Sequence, residues 1–126
     1  MDKIFLNEKL IAVHTRNFPE GTNPVSSPEG ALQLMTMKRP KGHIAKAHRH
    51  VPKTRTTEVL QECLIVVKGK IRYDLFDERG KCFREVLVQP GEAMLILGVA
   101  HAVHFLEDSL VYELKNGPFI DDKEFM

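Results

Sequence analysis

A chain of 126 residues provides one domain's worth of core, and 43% hydrophobic with 28% charged residues excludes a disordered or fibrous polymer. The formal net charge is +1, with Lys and Arg scattered among Asp and Glu, so neither a nucleic acid nor a membrane surface is expected as a partner.

In chain order, the start MDKIFLNEKL carries Asp2 and lacks the apolar run and small-residue cleavage site of a secretory signal, which sets the expectation of a cytoplasmic protein. Lys3 to His14 reads as a strand or a short helix, and the Pro-, Gly- and Ser-rich stretch NFPEGTNPVSSPEG reads as loop. ALQLMTMK is predicted to be a strand, RPKG a turn, and HIAKAHRH a second strand. After the loop VPKTRTTEV come ECLIVV, the turn Lys68-Gly69-Lys70 and IRYDLFD, a hairpin-like pair. KCFREVLV, AMLIL, HAVHFL and SLVYELK follow, punctuated by QPGE, Gly98, Glu107-Asp108 and Asn116-Gly117-Pro118. About eight strands with turns at regular spacing predict an all-β sandwich or barrel, and the crossover helices of a parallel sheet are missing. The longest apolar stretch, Ala93 to Leu106, is broken by Gly98, His101 and His104 and is too short to span a bilayer. Cys63 and Cys82 lack a metal or redox spacing and read as buried thiols.

Alternation along a strand places His48 and His50 on one face, about 7 Å apart at their backbones, with Ile44 and Lys46 beside them. That spacing suits two imidazoles on one ion. Glu62 leads the apolar stripe of Leu64 and Val66, where an unpaired carboxylate is costly and coordination offsets the cost. His101 opens another strand just after Gly98, on the face of Val103 and Phe105. His104 has the opposite parity, and His14 and His43 read as surface residues. Such a set of N and O donors suits Fe, Mn, Ni, Co or Zn rather than a thiolate site.

These residues resemble the two motifs of the cupin superfamily. Gly42, His48, His50, Glu62 and Gly69 match the first, and Gly91, Gly98 and His101 match the second, so the resemblance runs from about Gly42 to Phe105. It implies a cupin-type double-stranded β-helix, a jelly-roll barrel over residues 31–119, preceded by an extension over 1–30 and followed by a tail over 120–126. It also implies metal ligation by His48, His50, Glu62 and His101. The sequence departs from the pattern in three places. The spacer from His50 to Glu62 is eleven residues, longer than the family usually has, which makes Glu58 a rival ligand. Ile96 stands where a Pro is expected in the second motif, with a shortened interval after Gly91. Phe105 occupies the place of an Asn.

Around such a site, Lys46, Tyr73, Tyr112 and Glu113 are the pocket candidates; parity admits either Arg72 or Tyr73, and either Tyr112 or the Glu113 and Lys115 pair. Lys46 beside the metal would favour an anionic group. The expected activity is that of a metal-dependent enzyme, isomerase-, epimerase- or dioxygenase-like, on a small polar molecule such as a carbohydrate or a hydroxy or keto acid. The layout is similar to small bacterial cupins associated with surface-polysaccharide synthesis, which adds to the carbohydrate option. The competing expectation is a non-catalytic barrel that binds or senses a small ligand. A homodimer joined through sheet edges is expected, with the N-terminal segment available to add a strand to a neighbour.

Overall fold

A computed structural model describes all residues, 1–126, and contains strands but no helix. The N-terminal segment is a hairpin of β1 (Asp2–Leu6) and β2 (Lys9–Thr15). Its turn, Asn7-Glu8, has φ of 51° and 65°, the mirror-image geometry that matches the twist of a two-residue hairpin. The segment read as loop contains β3 (Gly21–Pro24), which pairs only with β4 (Met35–Lys38). HIAKAHRH does not form a strand. Its Ile44 side is 78% exposed, and residues 39–61 have no ladder partner. Two alanines, Ala45 and Ala47, and a single bulky apolar residue, Ile44, give that stretch too little surface to bury on either face.

The remaining strands are β5 (Glu62–Lys68), β6 (Ile71–Phe76), β7 (Cys82–Val88), β8 (Ala93–Ile96), β9 (Ala100–Phe105) and β10 (Leu110–Lys115). All pairs are antiparallel. A five-stranded sheet runs β1-β2-β8-β5-β10, and a three-stranded sheet runs β7-β6-β9. The expected β5–β6 hairpin is therefore a corner: the two strands belong to different sheets. Gly69 makes that corner with φ of 94°, and a Cβ there would fall 2.7 Å from Ser109 Cα and 2.6 Å from the Asp108 carbonyl. The corner from β9 to β10 is thus stacked on the corner from β5 to β6, and the Lys70 N–H donates to Ser109 Oγ at 3.2 Å.

Ile4, Leu64, Val66, Ile71, Leu75 and Met94 fill the space between the sheets, and Leu75 and Met94 retain no exposure. Each such side chain contributes roughly 1.5–3 kcal/mol of burial. A second cluster, with Val13, Cys63, Ala93 and Leu95, lies on the other face of the larger sheet under Val25, Leu32 and Leu34. His14 is not a surface residue: it is 5% exposed, and its Nε2 lies 2.8 Å from Glu92 Oε1. That pairing offsets the cost of burying both groups. No helix is long and apolar enough to cross a membrane.

Candidate functional site

The two sheets bring a chain of opposite charges together. Glu62 opens β5 on the same face as Leu64 and Val66, which pack in the core. His101 opens into the same space from β9, where its Cα partner on β6 is Leu75, also in the core. His101 Nε2 and Glu62 Oε1 are 2.5 Å apart, with side-chain exposures of 25% and 15%. Lys115, the register partner of Glu62 on β10, places Nζ 3.7 Å from Glu62 Oε2 and 3.2 Å from Glu113 Oε1. Tyr73 leans over the imidazole with ring centroids 5.8 Å apart.

The second nitrogen of His101 fixes its chemistry. Nδ1 lies 2.8 Å from the Val99 carbonyl, which only accepts, so Nδ1 carries a proton. Nε2, facing a carboxylate, then either carries a proton as well or offers its lone pair to a cation that replaces it. Without a cation the ring is an imidazolium donating to Glu62. The Glu62 hydrogen bond accordingly raises the His101 pKa against the opposing effect of burial, and the same bond holds the Glu62 carboxyl below its ordinary range. Glu113 raises the Lys115 pKa. Burial, reinforced by the charges of Glu62 and Glu113, pushes the Tyr73 hydroxyl upward, so it stays a proton donor.

The sequence-derived candidates separate into two groups. Glu62, His101 and Tyr73 converge between the sheets, and Lys115 and Glu113 extend the charge chain from Glu62 to the exposed rim on β10. Parity is settled in favour of Tyr73 and of the Glu113 and Lys115 pair, because Arg72 binds Asp74 through two hydrogen bonds of 2.8 and 3.2 Å, while Tyr112 is 68% exposed on the outer face of β10. His48, His50 and Lys46 lie on the exposed irregular segment instead. The His48 and His50 rings meet edge to face, 5.2 Å apart, and His48 Nδ1 lies 2.7 Å from the Lys46 carbonyl. His48 Nδ1, like His101 Nδ1, thus donates to a backbone carbonyl two residues earlier in the chain. Glu58 is exposed and lines a groove of about 680 Å³ together with Leu60, Lys115, Phe119 and Asp122.

One donor cluster escapes sequence reasoning. Asp74, Cys82 and Glu85 place ligand atoms within 4.8 Å of one another, a metal-binding spacing. Asp74 is also held by Arg72 and by His104 Nε2 at 2.9 Å, so His104 serves this cluster and not the interior one. Asp74 and Glu85 are cross-strand partners, a relation that only the β6–β7 register reveals. Cys82 is partly exposed, unlike the buried Cys63. No protein-family model, curated protein or solved structure matches the chain.

Proposed function

We propose that this chain is a small cupin-like metalloprotein, its strands a variant of the jelly roll, that holds a divalent transition ion (Fe, Mn, Ni, Co or Zn) and acts on a small polar molecule such as a carbohydrate or a hydroxy or keto acid. The observation that carries this reading is the delivery of Glu62 and His101 from facing sheets to one point, with the Val99 carbonyl holding the imidazole so that Nε2 is the presented atom. A carboxylate oxygen and an imidazole nitrogen fit such ions. His48 and His50 complete the proposed ligand set.

Bringing those histidines in requires residues 43–50 to close over the interior site. The hydrogen bonds formed by residues 41–56 are all to chain neighbours within three positions, as in His43 N–H to Pro40 and Arg55 to Lys53. Longer-range anchors begin at Thr57, which accepts from Asn116 at 3.1 Å. The spacer from His50 to Glu62 reaches up to about 40 Å when extended, so length does not hinder closure. The free edge of β9, the strand of His101, offers an unpaired ladder for the segment.

A bound ion would supply Lewis acidity toward a ligand oxygen. The chain's own groups would do the rest. The Tyr73 hydroxyl would donate a hydrogen bond, the Lys115 ammonium would orient an anionic group, and Glu113 would keep Lys115 charged. The groove beside Lys115 has the size of a small-molecule site and also favours a second reading, a barrel that binds its ligand without turnover.

The test is calorimetric titration of chelator-stripped protein with Mn(II) or Zn(II) at neutral pH, in two buffers of different ionisation enthalpy. Loading at the Glu62–His101 pair must displace the Nε2 proton, so about one proton per ion should be released, and none in His101→Ala. Binding that is unchanged in His101→Ala would refute this site.

A further inference from the structure

We propose that residues 38–55 form a basic arm that binds the phosphate backbone of a double-stranded nucleic acid without reading its sequence. This assignment is independent of the metal reading.

The whole-chain balance of +1, which disfavours such a partner, averages over a segregated distribution. Residues 30–57 carry seven of the 18 Lys and Arg and none of the 17 Asp and Glu, so this stretch holds +7 and the remainder of the chain −6. All seven cations lie from Lys38 to Arg55, together with three of the six histidines, His43, His48 and His50. A block of like charge on that scale is the pattern of an interaction arm, unlike the mixed signs along β6, β7 and β10.

The fold leaves these charges uncompensated. Residues 37–60 are all exposed, and 39–61 belong to no sheet. Of the seven cations only Lys38 meets a carboxylate, Glu20 at 3.0 Å, while Arg39 donates to Thr22 Oγ1 and Arg55 to the Lys53 carbonyl. Six cations without an acidic partner share one segment and repel one another within the screening length of about 10 Å at 0.1 M salt. A polyanion laid along the arm relieves that repulsion. β4 and β5 hold the two ends, so the arm stays attached to a folded body while it follows its ligand.

Composition chooses the polyanion. No Phe, Tyr or Trp occurs between Phe18 and Tyr73, so the arm has no ring on which an unpaired base could stack and none to seat it in a lipid interface. Its large apolar side chains, Ile44 and Val51, are 78% and 71% exposed on irregular chain and form no amphipathic helix face for a membrane. Binding by charge alone remains, and a duplex offers the densest phosphate array, one charge per about 1.7 Å of axis. Arg39, Arg49 and Arg55 suit it further, because a guanidinium fork matches two phosphate oxygens.

The experiment is fluorescence anisotropy of a labelled DNA duplex of mixed sequence, titrated with the full chain in chelator, so that metal loading does not enter. Six phosphate contacts should give a slope of log affinity against log salt of about −5, roughly a thousandfold loss between about 50 and 200 mM. The triple variant Arg49→Gln, Lys53→Gln, Arg55→Gln should flatten the slope by about 3. Lys3→Gln, Lys9→Gln, Lys123→Gln removes the same charge from exposed positions outside the arm and should leave the slope unchanged. Both variants should keep the native circular dichroism. The absence of binding at about 50 mM salt, where phosphate contacts are strongest, would overturn the proposal. Equal flattening by the two triple variants, or capture by phosphatidylglycerol vesicles in preference to the duplex, would overturn it as well.

Discussion

Replacing Glu62 by Gln isolates the charge pair at the centre of the molecule with almost no change in shape. In metal-free protein the carboxylate accepts from an imidazolium, and both side chains are at most a quarter exposed. A charge-assisted bond of this kind contributes about 1.5–3 kcal/mol, and partial solvent access places it near ~2 kcal/mol. The pH dependence follows from the two shifts. His101 is held above its ordinary 6.5, chiefly by the Glu62 hydrogen bond, so its stabilisation is complete below 6.5 and is lost as pH rises through the raised value. Glu62 is held below its ordinary 4.5, chiefly by His101, so its stabilisation is complete above 4.5 and is lost as pH falls through the lowered value. The pair therefore stabilises most between pH 4.5 and 6.5. Urea denaturation in the presence of a chelator should show the Glu62→Gln midpoint lowered by about 1 M at pH 5.5, with the gap narrowing by pH 9. A gap of equal size at both pH values would refute the proposed ion pair.

Gly69→Ala forces a side chain into a left-handed corner already filled by the Ser109 backbone, with the built Cβ only 2.7 Å from Ser109 Cα. It should destabilise by more than about 3 kcal/mol or prevent folding, read by thermal melting. The two cysteines should differ sharply in thiol labelling at pH 8. Burial pushes the Cys63 thiol to about 11 and hides it, so rapid labelling should stop at one thiol per chain and vanish in Cys82→Ser.

The C-terminal strands were legible because their apolar residues alternate between clear turn signals, and β6 through β10 fall where Gly, Pro and Asn interrupt the pattern. Glu62 and His101 were legible as donors at strand starts, and the choice of Tyr73 over Arg72 had to await the partner strands that decide which face is inside. The Asn7-Glu8 turn carried no Gly to announce it, so the first hairpin stayed ambiguous with a helix. The burial of His14 depends on Glu92, 78 residues away, a distance at which local pattern is silent. The strand expected at HIAKAHRH rested on the Pro and Gly turn signals of RPKG and not on alternating bulk, and that stretch lacks the apolar surface to hold it in a sheet. For the same reason Lys46 lost the face it was expected to share with His48 and His50.

The most direct test of the central claim is the elemental content of protein purified without added metal or an affinity-nickel step, compared with its His48→Ala and His101→Ala variants. The account predicts near-stoichiometric iron, manganese, nickel, cobalt or zinc in the native protein and its loss from both variants while the fold persists. Metal-free protein that stays folded and takes up none of these ions would contradict it.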